Sequence, residues 1–534
     1  MPLTGKTPLS VVILTKNEAA RITDCLCSVD WADETLIVDD ESSDQTVQIA
    51  ESLGARVLRR RMDMEGRHRN WAYAQAKHEW VLSLDADERI TPELASEIQQ
   101  LLADSPASDI YSIPRRNYIG NRWIRHGGWY PSAQVKLFKK SRFQWEETTV
   151  HPRAISKSEK PWGALRQDMI HFSYRDLADF TGKLNRQTTL ETRKWLQDGR
   201  RIGITIMLWR TIDRFYRSWR GKQGYQDGFA GYVVAVYAGM YQFLSYAKYW
   251  HQKQNRGPHP KRRPVSRSRR VPAGPTAEKK TTLSAVILTK NAAATIQNCL
   301  DSVRWIGQVI VIDGGSTDGT VEACQAAGAQ VVHLEIQDDF GQLRNAGTDR
   351  ATGDWVLQLD ADEVVTPEFR DELEWILSHS VPHAAYKFRR MNNFLGHWMR
   401  FGGWDHFSLH LFQRGRARYE GRVHEKLLVD GSIGTLQTGV EHYPFRSIEE
   451  FMDRQNRYTS LEARQWVESQ GPVPLETIRQ HAVWRPLKLF WKIMVKKQGF
   501  RNGMVGFLFA GLYAFVYFLK WSKIWELQDA SETG

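Results

Sequence analysis

"VLSLDADE", Val81–Glu88, returns as "VLQLDADE", Val356–Glu363, with a single change among its residues. Each copy is an apolar run that reads as a strand and ends in an acidic cluster. Asp85 and Asp360 lie 275 positions apart, close to half of the 534-residue chain. Recurrence at that distance marks an internal repeat, and a repeat decides the architecture before any local reading does. Working outward, the register of 274 to 275 residues persists through the first parts of the two halves. "LSVVILTKNEAARITDCLCSVDWADETLIVDD" from Leu9 matches "LSAVILTKNAAATIQNCLDSVRWIGQVIVIDG" from Leu283. "RWIRHGGW" from Arg122 matches "HWMRFGGW" from His397, and "HFSYRDLADF" from His171 matches "HYPFRSIEEF" from His442. The tails "KQGYQDG" from Lys222 and "KQGFRNG" from Lys497 also match. The chain is a tandem duplication.

Composition sets the outer bounds. With 42% hydrophobic and 25% charged residues, the chain is globular rather than disordered, and its length calls for several domains. Cys25, Cys27, Cys299 and Cys324 show no metal-type spacing and fit reduced thiols. The first residues, "MPLTGKTP", carry no apolar core of a secretory signal, so none is expected. The formal charge is +12, but 10 Lys or Arg and one Glu fall between His251 and Lys280. That Pro-, Ser- and Arg-rich stretch reads as a solvated tether. A specific nucleic-acid partner would need basic residues spread across a folded face with stacking aromatics, so none is expected.

Within a copy, short β-branched runs alternate with segments of helical spacing. "LSVVIL" and "TLIVDD" read as strands, while Ile22, Leu26 and Val29 mark a helix between them. "TPELASEIQQLL" opens with Thr then Pro, the signature of an N-cap and first turn. The pattern predicts an α/β fold with a mostly parallel sheet and helices on both faces. The expected domains are a first α/β domain over 1–200, an aromatic helical segment over 201–250 and a linker over 251–282. A second α/β domain then covers 283–474, with a second aromatic helical segment over 475–534.

Ligands in such sheets sit beyond the carboxyl ends of the strands, where Asp39, Asp40, Asp85 and Asp87 are expected. An Asp-x-Asp pair needs water, basic partners or a hard cation, and Mg²⁺ or Mn²⁺ takes oxygen ligands of this kind. An acidic turn ahead of the Thr-Pro cap is the plainer alternative.

These residues carry a resemblance. Each half resembles a family 2 glycosyltransferase of the GT-A nucleotide-sugar fold, and is similar to bacterial lipopolysaccharide-core glycosyltransferases of the WaaE/KdtX type. The matching elements are "ILTKNEA", "IVDDESSDQT" with "VIDGGSTDGT", "RHRN" with "QLRN", "LDADE", "RHGGWYP" with "RFGGW", and "VHE" in the second copy. The resemblance implies nucleotide-sugar contacts from Thr15, Glu18, Asp39, Arg69 and Asp85, and from Thr289, Asp313, Arg344 and Asp360. It implies metal binding at Asp85, Asp87, Asp360 and Asp362, with His171 and His442 joining from a later segment or serving only as structural histidines. The implied cofactor is Mg²⁺ or Mn²⁺. Trp129 and Trp404 of the "GGW" motifs either stack on sugar or simply pack a tight turn.

Inverting family members need a general base for the acceptor hydroxyl. "YEGRVHEK" offers Glu420 and Glu425, and "QWEETTVHPR" offers Glu146 and Glu147, with Pro152 where the motif has Glu. The second copy departs elsewhere, with Ala292 for Glu18 and Gly314 for Asp40. Both copies are therefore expected to bind donor, with the second the more complete catalyst.

In the first tail, Trp209, Ile212, Phe215, Tyr216 and Trp219 share one helical side among Arg210, Arg214, Arg217 and Lys222. That is the composition of an interfacial helix on anionic lipid. A core helix with solvated arginines is the alternative. Runs without formal charge follow at Gly228–Ala247 and Gly503–Leu519, and attachment to one face is preferred over crossing, which would separate the two catalytic domains. The resulting expectation is a tandem, metal-dependent, inverting transferase moving a hexosyl or heptosyl group from an NDP-sugar, UDP-sugars foremost. The acceptor is a lipid-linked glycan or lipopolysaccharide core at the cytosolic face of the bacterial inner membrane. Alternatives are one catalytic copy beside an acceptor-docking copy, or a sugar nucleotidyltransferase.

Overall fold

The computed structural model describes residues 7–104, 106–148, 153–254, 281–335, 339–421 and 425–532. Most of the tether expected over 251–282, and Pro152, lie outside the described residues. Contacts divide the chain into two compact units. One gathers Met1–Trp250, Met452–Ala482 and Leu519–Gly534; the other gathers His251–Phe451 and Val483–Phe518.

Both copies build the same sheet. The central strand Leu9–Thr15 pairs in parallel with Glu34–Asp39 and Trp80–Asp85. Its counterpart Leu283–Thr289 pairs in parallel with Gln308–Asp313 and Trp355–Asp360. These are the β-branched runs of the repeat, and their central residues are almost wholly buried, as strands covered on both faces should be. The sheets are mixed rather than purely parallel. Gln134–Lys139 runs antiparallel beside Trp80–Asp85, and His406–Gln413 does the same beside Trp355–Asp360. The Thr-Pro reading holds in both copies: Thr91 and Thr366 accept from the N–H of Leu94 and Phe369 at 3.2 and 3.1 Å and cap the following helices.

The copies differ in one respect that the repeat explains. Ala385–Phe394 is a single strand, whereas its first-copy equivalent breaks into Ile110–Ile113 and Arg115–Ile119. Pro114 falls at the break, has no N–H for the ladder, and splits one sheet into two.

Each tail meets its own α/β domain at the repeated glycine motifs. Gly127 donates its N–H to the Lys222 carbonyl at 2.8 Å, and Gly402 donates to the Lys497 carbonyl at 2.7 Å. Gly127 and Gly402 have φ of +67° and +89°, which a side chain would strain. The helix Gly228–Gln254 is anchored by Tyr237, whose ring stacks on Phe180 at 4.0 Å, and by buried Lys248, which donates to Asn185, Thr188 and Thr189. In the second copy Phe509 and Tyr513 pack on Trp404 at 4.9 and 6.0 Å. The long uncharged run of the first tail is therefore a docked helix. Among the described residues one helix, Gly499–Asp529, is long and apolar enough to cross a membrane, and half of its most apolar stretch is buried inside the protein.

A Cβ on Gly231 would sit 1.8 Å from the Gly224 carbonyl oxygen. Gly231→Ala should therefore destabilise the chain by about 1–3 kcal/mol and loosen the first tail. Gly307→Ala, with open space around it, should be nearly neutral. Thermal unfolding with limited proteolysis of the tail reads both.

Candidate functional site

The strand Trp80–Asp85 delivers Asp85 to the rim of the sheet, and the turn behind it presents Asp87 and Glu88. Glu88 is fully buried. Its Oε2 accepts the Asp85 N–H at 2.9 Å and the Lys136 ammonium at 2.5 Å. Asp85 is held by Arg69 at 3.1 Å and by Lys136 at 3.3 Å. The second copy keeps this turn but draws its charges differently. Glu363 accepts the Asp360 N–H at 2.9 Å, and Asp360 is held by Arg344 and Arg390, each at 2.8 Å. Burial alone would favour neutral carboxyls here. The paired cations outweigh it and hold Asp85 and Asp360 well below the usual carboxylate range.

Asp87 faces His171, with Oδ1 and Nε2 3.7 Å apart, and Asp362 faces His442 at 3.4 Å. The histidine orientation follows from a chain of contacts. Asn117 donates its amide N–H to the Trp129 carbonyl, so its oxygen faces His171 Nδ1 at 2.7 Å. The Nδ1 nitrogen then carries the proton, and Nε2 presents a lone pair toward the Asp87 oxygen. Asn392, the Trp404 carbonyl and His442 repeat the arrangement, with 2.5 Å between Asn392 and His442. Burial, then Arg115 and Lys136, pull His171 down to about 3, so it is neutral. In the first copy two acceptors facing each other at 3.7 Å fit a cation between them, with the far ring nitrogen held by an acceptor. Among the described residues no three His, Cys, Asp or Glu side chains converge into a cage. An Asp–His pair leaves the other positions of an Mg²⁺ or Mn²⁺ ion to water and phosphate oxygens.

The remaining expected residues divide by location. Thr15 and Thr289 are buried at the sheet rim, and neither hydroxyl has a hydrogen-bond partner among the described residues. Asp39 and Asp313 are fully buried and hold their own loops. Asp39 accepts from the N–H and hydroxyl of Ser42 at 2.9 and 2.5 Å, and Asp313 from those of Ser316 at 3.0 and 2.5 Å. Glu18 is half-buried beside Arg21, and burial pushes its carboxyl up. Glu425 joins the second site directly: its Oε1 accepts Arg344 Nε at 2.7 Å. In the first copy Arg69 Nε turns instead to Glu65 of its own helix at 3.2 Å. Glu420 is exposed on the strand Ala417–Glu420, and Glu147 is half-exposed and paired with Arg67. Glu146 lends its backbone carbonyl to the close approach at Gly66.

Trp129 packs edge-on against Phe180 at 5.8 Å, and Trp404 lies among Phe445, Phe509 and Tyr513. The "GGW" tryptophans are packing residues whose carbonyls orient the asparagines. Asn117, Asn392, Glu88, Glu363, Lys136, Arg115 and Arg390 were not singled out from the sequence. Identity at aligned positions in both copies was the available signal for the asparagines, the glutamates and the two arginines.

A family model described as glycosyl transferase family 2 matches the chain twice, over residues 10–158 and 284–423. The chain belongs to glycosyl transferase family 2. It is a glycosyltransferase with two GT-A domains in tandem. Its relatives include a lipopolysaccharide core biosynthesis glycosyltransferase, LpsC, of Rhizobium meliloti strain 1021, 27% identical over 252 residues, covering 46% of this chain and 92% of that protein. Another is an uncharacterized glycosyltransferase of Rickettsia prowazekii strain Madrid E, 28% identical over 264 residues, covering 47% and 89%. Among solved structures, residues 1–349 of Staphylococcus aureus TarS match at 17% identity and a TM-score of 0.26, covering 47% of this chain and 92% of that one. Mycobacterium tuberculosis glucosyl-3-phosphoglycerate synthase, in complex with Mn²⁺, UDP and glucosyl-3-phosphoglycerate, matches at 20% identity and 0.25, covering 36% and 81%.

The charge state of Asp87 gives a test. Burial, then Asp85 and Glu88, push its carboxyl up to about 7. A carboxyl raised above its unfolded value contributes stability at low pH that is lost as pH rises through about 7. In a chelator at pH 8, Asp87→Asn should therefore be about 1–3 kcal/mol more stable than the parent, and the gap should close towards pH 4. Urea unfolding at both pH values reads this; an unchanged gap would rule out the burial penalty.

Proposed function

We propose that the protein transfers sugars from NDP-sugar donors, with inversion, to a lipid-linked glycan or lipopolysaccharide-core acceptor at the cytosolic face of the inner membrane. Both copies bind donor in this reading, and the second is the complete catalyst. One observation carries it: a carboxylate beyond the Asp-x-Asp pair, Glu425, reaches the donor-site arginine in the second copy, while Glu65 of the helix itself takes that bond in the first. UDP-sugars are the foremost donors, in keeping with the nucleotide in the mycobacterial synthase complex.

In the proposed reaction the acceptor oxygen attacks the anomeric carbon as the bond to the diphosphate breaks. Glu425 takes the hydroxyl proton, and Arg344 and Arg390 keep Asp360 ionised beside the departing diphosphate. Asp362 and His442 would hold Mg²⁺ or Mn²⁺, which when bound neutralises charge on the leaving group. Thr289 and Thr15 offer their buried hydroxyls to the nucleoside.

Glu425→Gln keeps an oxygen for Arg344 but accepts no proton. It should lower kcat by about 10²–10⁴-fold while nucleotide affinity stays within a few-fold. Nucleotide release with membrane-extract acceptor reads kcat, and retention of most activity would reduce Glu425 to a positioning role. If Asp360→Asn/Asp362→Asn and Asp85→Asn/Asp87→Asn abolish turnover of different donors, both copies are catalytic. If only the former abolishes turnover, the first copy serves as a donor- or acceptor-docking domain.

Membrane attachment rests on the tails. Trp209, Ile212 and Tyr216 are each 62–65% exposed, and Trp484, Leu487 and Trp491 at the same positions of the second copy are 60–62% exposed. Phe215 and Trp219, expected on the same stripe, instead turn inward onto Tyr232 at 6.0 and 5.8 Å. Exposed basic residues flank both stripes: Arg214, Arg217, Arg220 and Lys222, and Arg485, Lys488, Lys492 and Lys496. Exposed aromatic rings beside cations suit the headgroup region of an anionic bilayer. Serine at Trp209, Tyr216, Trp484 and Trp491 together should cut sedimentation with phosphatidylglycerol vesicles at least about tenfold and leave soluble UDP binding unchanged.

A further inference from the structure

The strand registers set the two sites in correspondence, residue for residue. Arg21 and Thr295 stand immediately before the helices Ile22–Cys27 and Ile296–Val303. Arg89 and Val364 are the middle residues of the strands Glu88–Ile90 and Glu363–Val365. Lys136 and His410 precede Leu137 and Leu411, which pair with Leu82 and Leu357 in the equivalent strands. Three cationic side chains of the first copy are thus neutral at the same positions of the second or, for histidine, engaged elsewhere.

Each of the three bears on the acidic turn. Lys136 is buried between Asp85 and Glu88. Arg21 Nη1 lies 3.8 Å from Asp87 Oδ2. Arg89, also buried, donates to the carbonyls of Ala86 and Glu88 at 2.8 Å, and so sits against the backbone of the turn. Arg115 adds a fourth charge, 3.7 Å from Glu88. In the second copy His410 gives its Nδ1 to the Tyr419 hydroxyl at 2.6 Å. Arg390, the counterpart of Arg115, alone spans Asp360 and Glu363, at 2.8 and 2.6 Å. Arg344 shares its Nε with Glu425 there, as Arg69 does with Glu65 in the first copy. The acids of the turn are the same in both copies; Glu18 beside Arg21 and Asp24, 3.7 Å from Arg89, offset two of the added cations, and buried Lys136, whose acidic partners both belong to the turn, is the surplus charge of the first copy.

Cation affinity follows the local potential, and in a partly buried site a charge a few ångströms away is worth kilocalories. We propose that the two donor sites differ in their demand for a divalent cation: buried Lys136, where the second copy has His410 turned to Tyr419, supplies the first with built-in positive charge, so it holds a nucleoside diphosphate with less help from Mg²⁺ or Mn²⁺, whereas the second depends on the ion. The inference rests on both copies binding donor. It gives the duplication a chemical meaning, because two sites of unequal cation demand respond differently to the same intracellular Mg²⁺.

Mn²⁺ binding to the full chain, followed by electron paramagnetic resonance with and without UDP, tests it directly. In the presence of UDP the expected result is one tight Mn²⁺ and a second at least about tenfold weaker, the tight one lost in Asp360→Asn/Asp362→Asn and kept in Asp85→Asn/Asp87→Asn. Calorimetry in a chelator should find one UDP site, weakened at least about tenfold in Lys136→His and kept in Asp360→Asn/Asp362→Asn. Single exchanges guard against variants that fail to fold: Thr295→Arg should weaken the tight Mn²⁺, and Lys136→His should tighten the weak one. Two Mn²⁺ of equal affinity with two UDP bound would overturn the inference and leave the donor reading intact. No UDP binding at the first copy under any metal condition would overturn both.

Discussion

A carboxylate at the end of a buried strand dictates much of this molecule. Asp85 and Asp360 sit where the parallel strands open towards a ligand, and a bare charge there would cost several kilocalories per mole. Each is therefore met by an arginine from the preceding helix and a second cation from another strand of the sheet, at 2.8 to 3.3 Å. The glutamate that follows, Glu88 or Glu363, ties the turn by accepting the Asp N–H and shares that second cation. The helix Glu65–Ala74, the strand Gln134–Lys139 and the turn at Asp87 are placed by that requirement in the first copy. In the second copy the helix Phe340–Thr348 and the turn at Asp362 keep their parts, but the second cation comes from a different strand, Ala385–Phe394.

A second layer of order runs through polar side chains that make no contact with the acidic pair themselves. The glycine pair ahead of Trp129 lets the chain meet the tail loop, the Trp129 carbonyl orients Asn117, and Asn117 fixes which nitrogen of His171 carries the proton. The tail and the histidine are in this way joined by one chain of contacts, repeated at Gly402, Trp404, Asn392 and His442. A motif that reads in one dimension as either a sugar platform or a packed tight turn also supports, in three, the candidate metal ligand.

The tails show how one composition serves two ends. Gly228–Gln254 has the length of a spanning helix, yet Tyr237, Phe243 and Leu244 face protein, and buried Lys248 donates to Asn185, Thr188 and Thr189 of the adjoining helix. The amphipathic helix before it leaves Trp209, Ile212 and Tyr216 uncovered. Hydrophobic content is similar in the two helices; what differs is whether a partner surface exists within the same unit.

Several features could be read from residue order alone, because they depend on local chemistry or on repetition. Duplication, the strand–helix alternation, the Thr91 and Thr366 caps and the acidic strand ends all belong to this class, since each is written within a dozen residues or in their recurrence 275 positions on. Other features depended on which distant strands become neighbours. That Asn117 pairs with His171, that Lys136 stands behind Asp85 while Arg390 takes that place in the second copy, and that Glu425 rather than Glu420 meets Arg344 are consequences of register and burial. Period-two alternation tells which face a side chain takes but not what it will face. Sequence by itself determined that the chain holds two family 2 glycosyltransferase domains; only tertiary structure decided how each buried carboxylate is compensated, because a charge finds its counter-ion through space and not along the chain.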